Sequence, residues 1–168
     1  MELEFRHDLD CDGPTYFEHC IYNDAFWQRV YGEVLRFPKF ETLEMKTEGD
    51  VMIRKVFIEP PVTGLPGPAK KVIGDRMSYV ELGTYDKKTG KYSFDVTPSV
   101  FPTKVKTRGV MWCEPRGEKK STRIAKITVE VKIFAVGGMI EDKISNDLRQ
   151  SYDATAAFTN RWIKEKGL

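Results

Sequence analysis

The stretch Val129-Glu130-Val131-Lys132-Ile133-Phe134-Ala135-Val136-Gly137-Gly138-Met139-Ile140-Glu141 contains the change of period on which the fold turns. Up to Phe134 apolar residues alternate with charged ones, the two-residue period of a strand with one buried face, and Gly137-Gly138 then breaks the strand. Beyond the break Ile140, Ile144, Leu148, Tyr152, Thr155, Phe158 and Trp162 recur every three or four residues. That spacing predicts one face of a helix of about 28 residues, roughly 42 Å long. Glu141 and Asp142 are expected in its first turn, where the helix dipole favours acids. Lys164 and Lys166 suit its C-terminal end, and Gly167 stops it.

Upstream of this junction, from Val34 onward, the period is mostly two. Strands are expected at about 34–47, 50–59, 75–86, 90–97, 103–114 and 121–134. Turn signals join them: Glu48-Gly49-Asp50, Lys88-Thr89-Gly90 and Arg116-Gly117-Glu118. Short joints between consecutive strands imply an antiparallel meander. One joint is different. Glu59 to Pro68 is too long and too rich in proline and glycine for a hairpin, so it should run over the surface, with one helical turn at 69–73. At the N-terminal end Leu3, Phe5, His7 and Leu9 alternate with charged residues as a half-buried strand. Asp12-Gly13-Pro14 then starts a short helix through Tyr16, Phe17 and Cys20, and Asn23-Asp24 starts a second carrying Phe26, Trp27, Val30 and Tyr31.

A strand, two short helices, six further strands and a long C-terminal helix resemble the START-like, or helix-grip, superfamily of lipid-transfer proteins, pollen-allergen relatives and polyketide cyclases. The stretch Val129 to Glu141, an apolar strand ending in a Gly-Gly-x-Ile-Glu junction, resembles a bacterial START-like family of unknown function. The resemblance implies an α+β helix-grip fold, residues 1–168 forming one domain. A curved antiparallel sheet of about seven strands would wrap the long helix. It also implies a cavity between sheet and helix, because a strongly bent sheet and a straight helix cannot touch everywhere. Ser151, Ala154, Thr155, Ala156 and Ala157 are small, as the wall of such a cavity would be, and would equally let the helix lie close on the sheet.

The balance of 27 Lys+Arg against 25 Asp+Glu gives a net charge of +2, which argues against nucleic acid as the main partner. The three cysteines, Cys11, Cys20 and Cys113, form no CxxC pair and read as reduced thiols. With no apolar leader and no span of about 20 apolar residues, a cytoplasmic protein is expected. Nucleophile-elbow, zincin, P-loop and dinucleotide-binding motifs are all missing. His7 and His19, with Cys11 and Cys20 nearby, match no structural zinc spacing, so neither metal nor cofactor is expected.

Candidate ligand-binding residues follow from polar groups on apolar faces. His7 sits on the apolar side of the first strand. Met77, Tyr79, Glu81 and Tyr85 share one face, which places a carboxylate among phenols able to orient a ligand hydroxyl or serve as acid or base. Arg54, between Met52 and Val56, needs an anion if buried, and Glu81, Glu130 or a ligand carboxylate or phosphate could supply it. Leu148, Tyr152 and Thr155 present the helix to the same space. Lys104, Lys106 and Arg108, with Arg116, Lys119, Lys120 and Arg123 in the following hairpin, read as a solvated basic face able to meet an anionic lipid surface. The Pro60–Ile73 excursion, with Leu65, Lys70 and Lys71, reads as a lid or a loop in transient contact with a membrane.

These readings make the chain a carrier or sensor for an apolar small molecule such as a lipid, a sterol or a polyketide-like aromatic. The alternatives are a cyclase or aromatase acting in the same cavity and a protein-interaction module with a filled core.

Overall fold

The computed structural model of the protein describes residues 1–168. Seven antiparallel strands form one sheet in the order β1-β7-β6-β5-β4-β3-β2. They are β1 (Glu2–Leu9), β2 (Lys39–Glu48), β3 (Val51–Glu59), β4 (Tyr79–Asp86), β5 (Lys91–Pro98), β6 (Val105–Pro115) and β7 (Ser121–Val131). Between β1 and β2 lie α1 (Gly13–Tyr16) and α2 (Asp24–Arg29), each running on into a wide π-helical turn, Phe17–Ile21 and Val30–Val34. The short helix α3 (Gly67–Ile73) sits between β3 and β4, and α4 (Gly137–Lys166) closes the chain. This is the helix-grip architecture that the order of elements implies.

Local chemistry sets several of the boundaries. The Asp12 side chain accepts from the Thr15 amide and caps α1, and Asn23 caps α2 through the Phe26 amide. The second helical segment lasts through Val34, so β2 begins at Lys39 and not at 34 as the apolar period suggests. Arg36 at φ 54 makes the bend between them. β7 stops at Val131, three residues early, and Ala135 at φ 65 turns the chain into α4. The helix therefore starts at Gly137. Glu141 is not in the first turn, and its carboxylate instead accepts from the Val131 amide at 3.0 Å, tying the helix to the end of β7.

The inner sheet face is filled unevenly. Gly83 and Gly109 stand on one cross-strand row, on either side of Phe94, and each lies under an aromatic ring of β5. A β-carbon on Gly83 would sit 1.8 Å from the Tyr92 hydroxyl, and one on Gly109 would sit 2.4 Å from Phe94 Cζ. The two glycines thus let Tyr92 and Phe94 lie flat on the sheet. Phe17 stacks on Tyr85 at 4.2 Å, and Phe26 meets Phe158 and Trp162 at 5.4 and 5.6 Å. That cluster anchors the C-terminal half of α4. Its N-terminal half rests on a second, smaller cluster in which Val136 and Ile140 meet Ala69 and Ile73 of α3.

Candidate functional site

α4 packs against β1, β7 and the π-helical turn Val30–Val34, and so stands off from the middle of the sheet. On the inner face Tyr79, Glu81, Val96 and Thr107 are only half-buried, as are Ile144, Leu148 and Tyr152 of α4. Both sets are reached by solvent, and a groove between them would lie beside the aromatic core.

The sheet side of such a groove holds a buried cation. Arg54 is directed inward by its place between Met52 and Val56, and faces Gly83 across the ladder, where no side chain competes for the space. It is 2% exposed. Its Nη1 donates to Glu81 Oε1 at 2.9 Å, and the Tyr92 hydroxyl donates to the same oxygen at 2.8 Å. The Trp27 ring centroid lies 4.4 Å from the guanidinium carbon, a cation–π contact. Arg54 Nε and Nη2 are buried with no hydrogen-bond partner. A guanidinium cannot shed its charge here, so those N–H groups are a standing demand for an acceptor. Burial raises the Tyr79, Tyr92 and Tyr31 hydroxyls well above the usual phenol range, and they remain donors. Glu81, its side chain 18% exposed, is the acid of the cluster that solvent reaches.

A second buried cation lies at the β1–β7 side. Arg123 is also 2% exposed. Its Nη1 donates to the Tyr16 hydroxyl at 3.1 Å, and its Nη2 reaches the Tyr152 carbonyl at 3.1 Å and His7 Nδ1 at 2.9 Å. His7 Nε2 is 2.7 Å from Asp153 Oδ1. Burial lowers the pKa of His7, and the neighbouring Arg123 charge acts in the same direction against the Asp153 hydrogen bond. No carboxylate touches Arg123 directly. Its charge is balanced through a neutral histidine, a phenol and a carbonyl, with Asp153 one residue further out.

The structure joins Arg54 to Glu81 by a hydrogen bond, keeps Tyr79 on the same strand as Glu81, and packs Leu148 and Tyr152 half-buried against the aromatic core. Four other expected residues lie elsewhere. Tyr85 is in the aromatic core, where its amide donates to the Tyr22 hydroxyl at 3.1 Å. Met77 packs with the α3 cluster, and Thr155 is buried in the helix, its carbonyl taken by the Thr159 hydroxyl. His7 serves the Arg123 network. Arg123 corrects the expectation of a solvated hairpin cation: it alternates with Ser121, Ala125 and Ile127 and so faces inward. Lys106 and Arg108 are exposed on the other face, where Arg108 and Lys126 border an open depression of about 530 Å³ together with Glu4 and Asp95. Tyr92 and Trp27, the latter expected only as an apolar residue of the second short helix, are central to the Arg54 cluster, and neither is among the candidate residues. Tyr92 carries the two-residue period with Phe94 and Val96. Nothing in the sequence signals this place for Trp27, which comes from a separate helix.

Similar folds are known. A protein from Thermus thermophilus aligns over 95% of this chain and 97% of its own, at 10% identity and TM-score 0.62. The Zhui aromatase/cyclase from Streptomyces aligns over 97% and 95%, at 11% identity and TM-score 0.63. A START superfamily protein from Mycobacterium smegmatis aligns over 96% and 98%, at 12% identity and TM-score 0.62. At such identities the likeness establishes the helix-grip fold and no more. No curated protein matches the sequence. The family model described as Protein of unknown function (DUF2505) matches residues 4–163.

Proposed function

The chain belongs to that family, and from this premise we propose that it binds an apolar small molecule in the groove between α4 and the inner sheet face, as a carrier or sensor. A lipid, a sterol or a polyketide-like aromatic carrying one hydrogen-bond acceptor fits the proposal. The observation that carries it is Arg54, a buried cation with unpartnered N–H groups beside half-exposed residues of the inner sheet face. Apolar walls around a few convergent polar groups are the usual composition of a small-molecule site. In this reading Arg54 and Glu81 orient the polar end, while Tyr79, Val96, Leu148 and Tyr152 cover the apolar body.

One observation favours a second reading. Glu81 accepts from Tyr92 and is partly open to solvent, an arrangement that could move a proton in a cyclase-type reaction.

Native mass spectrometry of freshly purified protein, followed by extraction of the unfolded chain, tests the proposal. The expected result is an adduct of a few hundred daltons, lost or weakened in Arg54→Met. Protein that stays free of adduct after incubation with lipid extract would overturn the carrier reading. An adduct that emerges chemically altered would support the enzymatic one.

A further inference from the structure

Phe134 is 97% exposed, an extreme value for a phenylalanine. Its neighbours show that this is not a loop lacking a core within reach. Ile133 and Val136, on either side, both pack into the cluster formed with α3, and Ala135 holds a left-handed φ of 65 between them. The turn therefore buries the flanking side chains and holds the ring out in water. Met139 and Val72, 40% and 37% exposed, lie on the two helices that meet at this end.

Lysines and carboxylates both lie on the segments that meet here, the carboxylates including Glu141 and the exposed, unpaired Asp142 of α4. The Lys132 amide is bonded to the Lys104 carbonyl at 2.7 Å, which places both lysines at the base of the turn. α3 adds Lys70 and Lys71. Lys70 pairs with Asp75 at 3.4 Å and Lys132 with Glu130 at 3.7 Å, whereas Lys71 and Lys104 are exposed and make no ion pair.

We infer that this end of the molecule, the β7–α4 turn with α3, docks on anionic lipid bilayers and inserts Phe134 at the interface. A protein partner would need a fitted pocket for so prominent a ring, and it would gain more from a wider apolar patch than this end offers. A fluid bilayer needs no pocket. One protruding aromatic with two unpaired lysines at the same end suits it, because the ring enters the interface while the lysines meet the headgroups. The inference stands whether or not the groove holds a ligand.

Sedimentation of the full chain with vesicles of phosphatidylcholine alone, or of phosphatidylcholine and phosphatidylserine in equal parts, tests it. The wild-type chain is expected to bind the anionic vesicles, and more weakly at high salt. Phe134→Ser should lower the partition by about tenfold or more, and Lys71→Glu with Lys104→Glu should weaken it too. All three positions are exposed, and circular dichroism checks that the variants fold. Lack of binding by the wild-type chain, or unchanged binding by Phe134→Ser, overturns the inference. A concentration-dependent dimer that Phe134→Ser abolishes would also overturn it, assigning the turn to a second copy.

Discussion

His7 Nδ1 lies 2.9 Å from Arg123 Nη2, and because a guanidinium can only donate, the histidine must accept there and carry its proton on Nε2, toward Asp153. A second proton on the ring would remove that acceptor and set two cations side by side. The folded chain therefore resists protonation, as the lowered pKa of His7 indicates, while the unfolded chain takes the proton near pH 6.5. The sign follows: this contribution to stability is complete above pH 6.5 and is lost as the pH falls, at no more than about 1.4 kcal/mol per pH unit. Urea midpoints measured from about pH 7 down to pH 5 should fall more steeply for the wild-type chain than for His7→Asn. Parallel curves would mean that the ring is free to turn away from Arg123.

Glu81 is the only carboxylate hydrogen-bonded to Arg54, so Glu81→Gln leaves a buried cation without its countercharge. The expected loss is about 3 kcal/mol of unfolding free energy, read by urea denaturation. Replacing both residues, Arg54→Met with Glu81→Leu, should recover most of it, since the desolvation penalty disappears together with the attraction. A loss under about 1 kcal/mol for the single variant would show that water already solvates Arg54.

Gly83→Ala places a methyl group where the Tyr92 ring now lies, with Tyr92 Cζ 2.2 Å from the new carbon. Tyrosine cannot bend away from such a contact, so the ring must leave the sheet and give up its bond to Glu81. A loss of about 2–3 kcal/mol is expected. In a Tyr92→Leu background the same substitution should cost markedly less, a coupling that a double-mutant cycle measures. Additive losses would place the strain in the backbone.

Cys11 and Cys20 are buried, and Cys113 is half-buried. Burial pushes the Cys11 thiol up to about 12 and the Cys113 thiol up to about 11. Since the thiolate is the reacting form, iodoacetamide at about pH 8 should leave the folded protein almost unmodified and label all three cysteines in urea. Intact mass distinguishes the outcomes, and the half-buried Cys113 is expected to react first. Rapid labelling of Cys20 in the folded state would reveal that the aromatic core opens.

Periodicity alone made the sheet and the last helix legible. Each strand has one buried face, and α4 repeats its apolar residues over the whole of its length. The limits of this signal are visible before β2, where Val34 ends a helical turn and residues 35–38 are irregular, because Leu35 and Phe37 pack on the Tyr31 cluster and this outweighs local pattern. The Arg54–Glu81 pair was also legible, since a charge on an apolar face needs a partner and both residues face inward on neighbouring strands. Arg123 obeys the same rule. Its place in a basic hairpin concealed it, because sequence proximity to Lys119 and Lys120 reads as a shared exposed face. Phe134 falls in phase with Glu130 and Lys132, so the strand period already sets it on the outer side, and the left-handed turn at Ala135 keeps it there.

The pairing of β1 with β7 has a kinetic consequence. Glu2–Leu9 finds its only sheet partner at residues 121–128, and α4, which covers that seam, is the last element of the chain. The first strand to be made is thus among the last to be placed. The hairpins from β2 to β7 can form through local contacts, whereas docking β1 requires closing a loop of more than a hundred residues, a slow step. In pulse-labelled refolding the amides of β1 should acquire protection after those of β3–β5. Until then Phe5 and Leu9 are uncovered, together with the open edge of β7, and this is the interval in which the newly made chain is most exposed to misassociation.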